Sequence, residues 1–113
     1  MKAVLDTNFI LIPPKFKIDI YEELKFMGYD ELIVLSPVMR ELKLIGDEVS
    51  KKLLEEQNYE VVEVEGNADD AIVDYAKEKK TIVCTQDKTL KNRLKALKIP
   101  VLSMRGGKVL RCV

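Results

Sequence analysis

Apolar positions along this chain fall into short unbroken runs, with stretches of helical spacing between them. Residues 2–5 read as a buried strand and "ELIVL" as a second, since a short apolar run fits a strand covered on both faces. After Asn8 the stretch "FILI" runs into Pro13 and Pro14, which break whatever it starts. Ile18, Tyr21, Leu24 and the residues up to Met27 recur at helical spacing until Gly28 stops them. "SPVMRELKLIG" predicts a helix with Ser36 as N-cap, Pro37 at the first helical position and Gly46 as the stop. A further helical piece over 47–58 puts Val49, Leu53 and Leu54 on one face.

"YEVVEV" is a third strand, alternating enough to lie near a sheet edge, and Asn67 caps "ADDAIVDYAKEKK", whose Ala68, Ala71, Ile72, Tyr75 and Ala76 form a stripe. "TIVCT" is a fourth strand, "DKTLKNRLKALK" a helix with Leu90, Leu94 and Leu97 as its apolar positions, and "IPVLSM" a fifth strand. "RGGK" joins that strand to "VLRCV" as a hairpin, because Gly-Gly tolerates the positive φ that a two-residue turn demands. Strands alternating with helices predict an α/β fold: one mainly parallel sheet of about five strands, covered on both faces.

The 113 residues suit a single domain over 1–113 with one core, so that domain carries whatever function the chain has. Asp6 interrupts the first apolar run, no small-residue cleavage site follows, and no apolar stretch nears the ~20 residues of a membrane span. The expectation is a cytoplasmic protein with no membrane partner. Cys84 and Cys112 lie in apolar runs without a second Cys at metal-ligand spacing and read as reduced thiols. The absence of histidine excludes a Ser-His-Asp triad, a Cys-His pair and a His-based zinc site. Acid-base or metal chemistry must therefore come mainly from carboxylates.

Charge is zero overall and unevenly placed. Residues 77–113 hold eleven Lys or Arg against Glu78 and Asp87, a net +9, which leaves −9 on residues 1–76. An acidic pocket beside a basic surface is one way to hold a polyanion next to metal ions, although a charge run is ordinarily a solvated helix face.

Ligands of parallel sheets bind where the loops after the strands gather, and acids recur at those points. Asp6 follows strand one, Glu41 lies in the helix after strand two, Asp69 and Asp70 open the helix after strand three, and Asp87 follows strand four. Singly, each has an ordinary reading: Asp70, three residues after the Asn67 cap, suits a helix dipole; Asp87 suits an N-cap; Glu41 suits a solvated helix. Jointly, carboxylates gathered within ~6 Å repel unless a cation neutralises them, and an oxygen-only donor set favours Mg²⁺ or Mn²⁺.

These residues resemble the successive acidic motifs of PIN domains: "LDTN" ending strand one, Glu41 in "RELK", Asp70 in "DDAIVDYA", and Thr85 with Asp87 in "TQD". The resemblance covers essentially the whole chain. It implies a three-layer α/β/α fold and a metal-dependent ribonuclease in which Asp6, Glu41, Asp70 and Asp87 bind Mg²⁺ or Mn²⁺ and an activated water attacks an RNA phosphodiester. Asn8 then helps hold Asp6, Thr85 orients Asp87 or the water, and Asp69 is a neighbour that the helix start can also turn inward. The "DDAIVDYA", "TQDKTLKNRLK" and "IPVLSMRGGK" segments look most like the small PIN proteins linked to ribosomal RNA processing; a toxin ribonuclease paired with an antitoxin is the alternative. Family-level expectations for partners are RNA, a homodimer, and an antitoxin or ribosome-assembly factor. A non-catalytic RNA-binding scaffold is the reading outside enzymes.

Two other strand-end acid folds fit less well. A phosphoaspartyl phosphatase needs a second Asp where this chain has Asn8, and a receiver domain needs an acceptor Asp where strand three ends "VEVEG". Lys95 and Lys98 lie with Lys88, Lys91 and Arg93 along the last helix, and Arg105 and Lys108 bracket the Gly-Gly turn. Lys88, Lys91, Arg93, Arg105 and Lys108 are the candidate RNA-phosphate contacts, and no aromatic platform for base stacking accompanies them.

Overall fold

β1 (Lys2–Leu5), β2 (Glu31–Leu35) and β4 (Ile82–Cys84) are buried almost throughout in the computed structural model of the chain, which describes residues 1–13 and 17–112. Strands apolar on both faces need cover on both, and helices supply it. β3 (Tyr59–Val62), β5 (Val101–Arg105) and β6 (Lys108–Cys112) complete a six-stranded sheet in the order β3-β2-β1-β4-β5-β6. All neighbours are parallel except the β5–β6 hairpin, whose second strand is the sixth where about five were expected. Gly106 and Gly107 both adopt positive φ, 57° and 81°, as its two-residue turn requires.

The helices are α1 (Thr7–Ile10), α2 (Ile20–Phe26), α3 (Ser36–Ile45), α4 (Glu48–Glu55), α5 (Ala68–Lys79) and α6 (Lys88–Ala96). Phe9 and Ile10 of α1, Ile72 of α5 and Leu90 and Leu94 of α6 are fully buried against the central strands. The expected stripe on α5 is there: Ala71, Ile72 and Ala76 are buried, with Ala68 and Tyr75 half-buried beside them.

Three local expectations are corrected. Ser36 does not cap α3; it is the first helical residue, and its hydroxyl donates to the Val64 carbonyl (3.1 Å) and accepts from the Val64 N–H (3.0 Å), pinning the chain after β3 to the start of α3. Val49 is exposed on α4, because the Asp47 cap sets the helix phase so that Ser50 and Leu54, one turn apart, face inward. Leu97 is the C-cap of α6 rather than a core position and is exposed. Of the proline pair, Pro14 lies outside the described residues.

Strand order reverses at β1, where the chain winds out through β2 to β3 and then returns to lay β4 on the other side. In such sheets the crevice beyond the carboxyl ends of the two strands at the reversal is where ligands bind. The Asp6 N–H donates to the Cys84 carbonyl at 2.9 Å, which keeps those two strand ends side by side. No helix among the described residues is long and apolar enough to cross a membrane.

Candidate functional site

At the end of β1 the chain turns directly into α1, and Asp6 makes the turn. Its Oδ1 accepts from the Thr7 N–H (2.8 Å), capping the helix, and its Oδ2 accepts from the Thr85 hydroxyl (2.7 Å) at the end of β4. The residue keeps 5 % of its surface exposed. Its pKa is raised to about 6, chiefly by burial and to a lesser degree by the negative charges of Asp69 and Glu41, against the two hydrogen bonds that favour the charged form.

Thr85 is wholly buried and joins three groups. Besides donating to Asp6, its Oγ1 accepts from the Asp87 N–H at 3.0 Å; its approach to Asn8 Oδ1, at 3.4 Å, competes for the one hydroxyl proton. The Asp87 Oδ1 in turn accepts from the Leu90 N–H (2.9 Å), so Asp87 is the N-cap of α6. Thr85 thus orients Asp6 through its hydroxyl and Asp87 through its backbone. Among the described residues Asn8 makes no hydrogen bond to Asp6; its Oδ1 accepts from the Gln86 N–H (3.0 Å) and ties the first loop to the fourth. The Thr7 hydroxyl donates to Glu41 Oε1 (3.1 Å), drawing α3 toward the same point.

A cavity of about 310 Å³ opens here, walled by Asp6, Thr7, Asn8, Glu41, Asp69 and Asp87, with Leu11 and Ile45 as its apolar edge. Asp70, expected in this cluster, is turned out of it. It stands at N3 of α5: its N–H donates to the Asn67 cap (2.9 Å), its Oδ2 accepts from the Asn67 amide (2.9 Å), and its Oδ1 accepts from Arg93 (2.8 Å). Arg93 and the Asn67 amide hold the Asp70 carboxyl below its ordinary pKa. The cap and the Arg93 pair fix Asp70 outside the cavity, and Asp69, one residue earlier and rotated by a third of a turn, lines it instead.

Oxygen ligands alone, with no basic side chain in the wall, are a donor set suited to Mg²⁺ or Mn²⁺. Among the described residues no three of these side chains are already drawn to ligating distance of one point. The residues fit a divalent cation by chemistry and charge.

Of the candidate RNA contacts, Lys88, Lys91 and Arg105 line a second, basic cavity between α6 and the hairpin, which also holds Lys95 and Arg111. Arg93 is on the α5 side, paired with Asp70, and Lys108 stands at the exposed turn outside that wall. Gln86 escaped the sequence reading, since a glutamine between Thr85 and Asp87 looks like a solvated loop residue. Its Oε1 accepts from the Ser103 hydroxyl and the Met104 N–H, both at 2.6 Å, and its Nε2 donates to the Met104 carbonyl (3.1 Å), clamping the loop after β4 to β5.

Comparison with known proteins gives one consistent family. A family model described as a PIN-like domain matches residues 3–107. Ribonuclease VapC4 of Methanocaldococcus jannaschii is 39 % identical over 95 % of this chain and 92 % of its own length. The rRNA-processing protein fcf1 of Schizosaccharomyces pombe is 31 % identical over 95 % of this chain, which spans 60 % of that protein. Among solved structures, the PIN domain endonuclease Utp24 superposes with a TM-score of 0.83 at 28 % identity, over 96 % of this chain and 88 % of that one.

Proposed function

This chain belongs to the PIN-like domain family, and on that premise we propose that it is a metal-dependent endoribonuclease that hydrolyses RNA phosphodiesters at the acidic cavity. The carrying observation is that four separate chain segments deliver Asp6, Glu41, Asp69 and Asp87 to one cavity whose wall holds no cation. These four are the proposed ligands of Mg²⁺ or Mn²⁺, with Asp69 taking the part that the family resemblance gave to Asp70. A divalent ion held there supplies Lewis-acid assistance to an in-line displacement at phosphorus.

The protein's own contribution is positioning. Thr85 and the Thr7 N–H fix both oxygens of the Asp6 carboxylate, and the Thr7 hydroxyl holds Glu41 toward it, so the donors are oriented before any ligand arrives. Burial of Asp6 keeps bulk water from screening its charge. In the proposed setting the protein acts in the cytoplasm, alone or as a homodimer.

Two biological roles share this chemistry. Likeness to the rRNA-processing protein fcf1 supports ribosomal RNA processing, and likeness to the endonuclease Utp24 supports the cleavage itself. Likeness to VapC4 supports the second role, a toxin restrained by an antitoxin. The test is cleavage of an end-labelled structured RNA pool in Mg²⁺, Mn²⁺ and EDTA, with cut sites mapped on total RNA to separate the two roles. Cutting that needs metal is expected; tight binding in EDTA with no cutting in any metal overturns the nuclease reading in favour of a scaffold.

A further inference from the structure

The larger basic cavity, about 450 Å³, is a trough between α6 and the β5–β6 hairpin. Lys88, Lys91 and Lys95 recur at i, i+3 and i+7 on α6, one stripe of the helix, while Leu90 and Leu94 fill the core and Arg93 reaches away to Asp70. Arg105 and Arg111 face that stripe from the hairpin, with Ser103 and Cys112 also in the lining. Among the described residues the only ion pairs are Arg93 with Asp70 and the N-terminus with Asp30, so these five cations have no acidic partner there. Five like charges gathered in one trough repel one another, and only an external polyanion relieves all of them at once.

The trough and the acidic cavity draw on neighbouring residues at the start of α6: Asp87 lines the cavity and Lys88 lines the trough. The Gln86 clamp on Ser103 and Met104 fixes the trough wall to the loop that carries Asp87. No aromatic residue lines the trough, so it offers charge for phosphates and no stacking face for bases. A channel bounded by one helix and one two-stranded hairpin suits a single backbone; duplex phosphates are presented on a convex surface.

From this we infer that the trough is the track for the single-stranded RNA backbone on one side of the phosphate to be cleaved, read by charge without regard to sequence. The inference rests on the reading of this chain as a protein that acts on RNA. It extends the candidate set to Lys95 and Arg111 and assigns Arg93 a structural pairing instead of RNA binding.

The test measures binding in EDTA, where cutting does not enter. A fluorescent single-stranded oligoribonucleotide is titrated with the full-length chain across a salt series. The groove variant Lys91→Gln/Lys95→Gln/Arg105→Gln is compared with Lys51→Gln/Lys52→Gln/Lys79→Gln, which removes equal charge elsewhere. The groove variant should weaken binding at least tenfold at low salt and reduce the salt slope by about 2, at ~0.7 for each phosphate no longer neutralised, and the control variant should do neither. Cys112 gives an independent readout: it is the half-buried thiol in the trough while Cys84 is fully buried, so saturating RNA should slow alkylation of Cys112 several-fold. No binding by the wild type, equal effects of the two triple variants, or alkylation indifferent to RNA each overturns the trough; tighter binding of duplex overturns its single-stranded assignment. Trough-dependent binding without cutting would sink the nuclease reading alone, and metal-dependent cutting with an unchanged groove variant would sink the trough alone.

Discussion

The acidic cavity and the basic trough draw on adjacent residues, Asp87 and Lys88, and share one condition with opposite sign: each gathers charge that the folded chain does not neutralise. They differ in how firmly that charge is held. Asp6 is buried, with hydrogen bonds on both carboxylate oxygens, and Thr7 and Thr85 link it to Glu41 and Asp87. Lys88, Lys95, Arg105 and Arg111 are exposed, on flexible stems, and no side-chain hydrogen bond among the described residues restrains them. The cavity is organised for geometry and the trough for charge, so changes in the first should act steeply and changes in the second by degrees.

The steepest effect is expected at Asp6. Asp6→Asn should lower single-turnover cleavage by more than the ~10–100-fold typical of outer partners of a metal ligand, with the fold retained by circular dichroism. A variant cutting at the wild-type rate would remove Asp6 from the mechanism. Thr85→Val, which keeps shape and deletes the hydroxyl that Asp6 and the Asp87 N–H share, should cost ~10–100-fold in cleavage, and Thr85→Ser should restore most of it.

Stability should register the same strain. Asp6 titrates near 3.8 when unfolded and about 6 in the folded chain, so the native state binds the extra proton between those values. The contribution of Asp6 to metal-free stability is therefore fully present below pH 4 and is lost as pH rises through about 6, a fall of about 2–3 kcal/mol for this group. Denaturant midpoints in EDTA should record that fall for the wild type and lose it in Asp6→Asn; parallel pH curves would contradict the burial account. The smallest effect is expected in the trough, where Lys91→Gln alone should reduce the salt slope of RNA binding by only about 0.7.

Much of this architecture was legible in the apolar pattern. β1, β2 and β4 are short apolar runs whose neighbours leave no other reading, and the Gly106–Gly107 turn announced its hairpin. Strand order was not legible, because no local signal states that β4 returns beside β1. Ser36 misled because a serine before proline looks like a cap, whereas its partner, Val64, is 28 residues distant. Helix phase was the least legible feature of the site. Asp69 and Asp70 are chemically identical neighbours, and only the Asn67 cap together with Arg93, 23 residues further along the chain, determines which of them faces the cavity.

That pair also supplies the most direct test of the central claim, that the cavity wall itself is the metal-dependent cleavage site. Asp69→Asn and Asp70→Asn remove the same charge one residue apart, and both can be assayed beside the wild type on one labelled RNA across a Mn²⁺ titration. Asp69→Asn should lose cleavage or need far more Mn²⁺, while Asp70→Asn should cut at close to the wild-type rate. Full activity in Asp69→Asn with loss in Asp70→Asn would contradict the claim and return the site to the acid paired with Arg93.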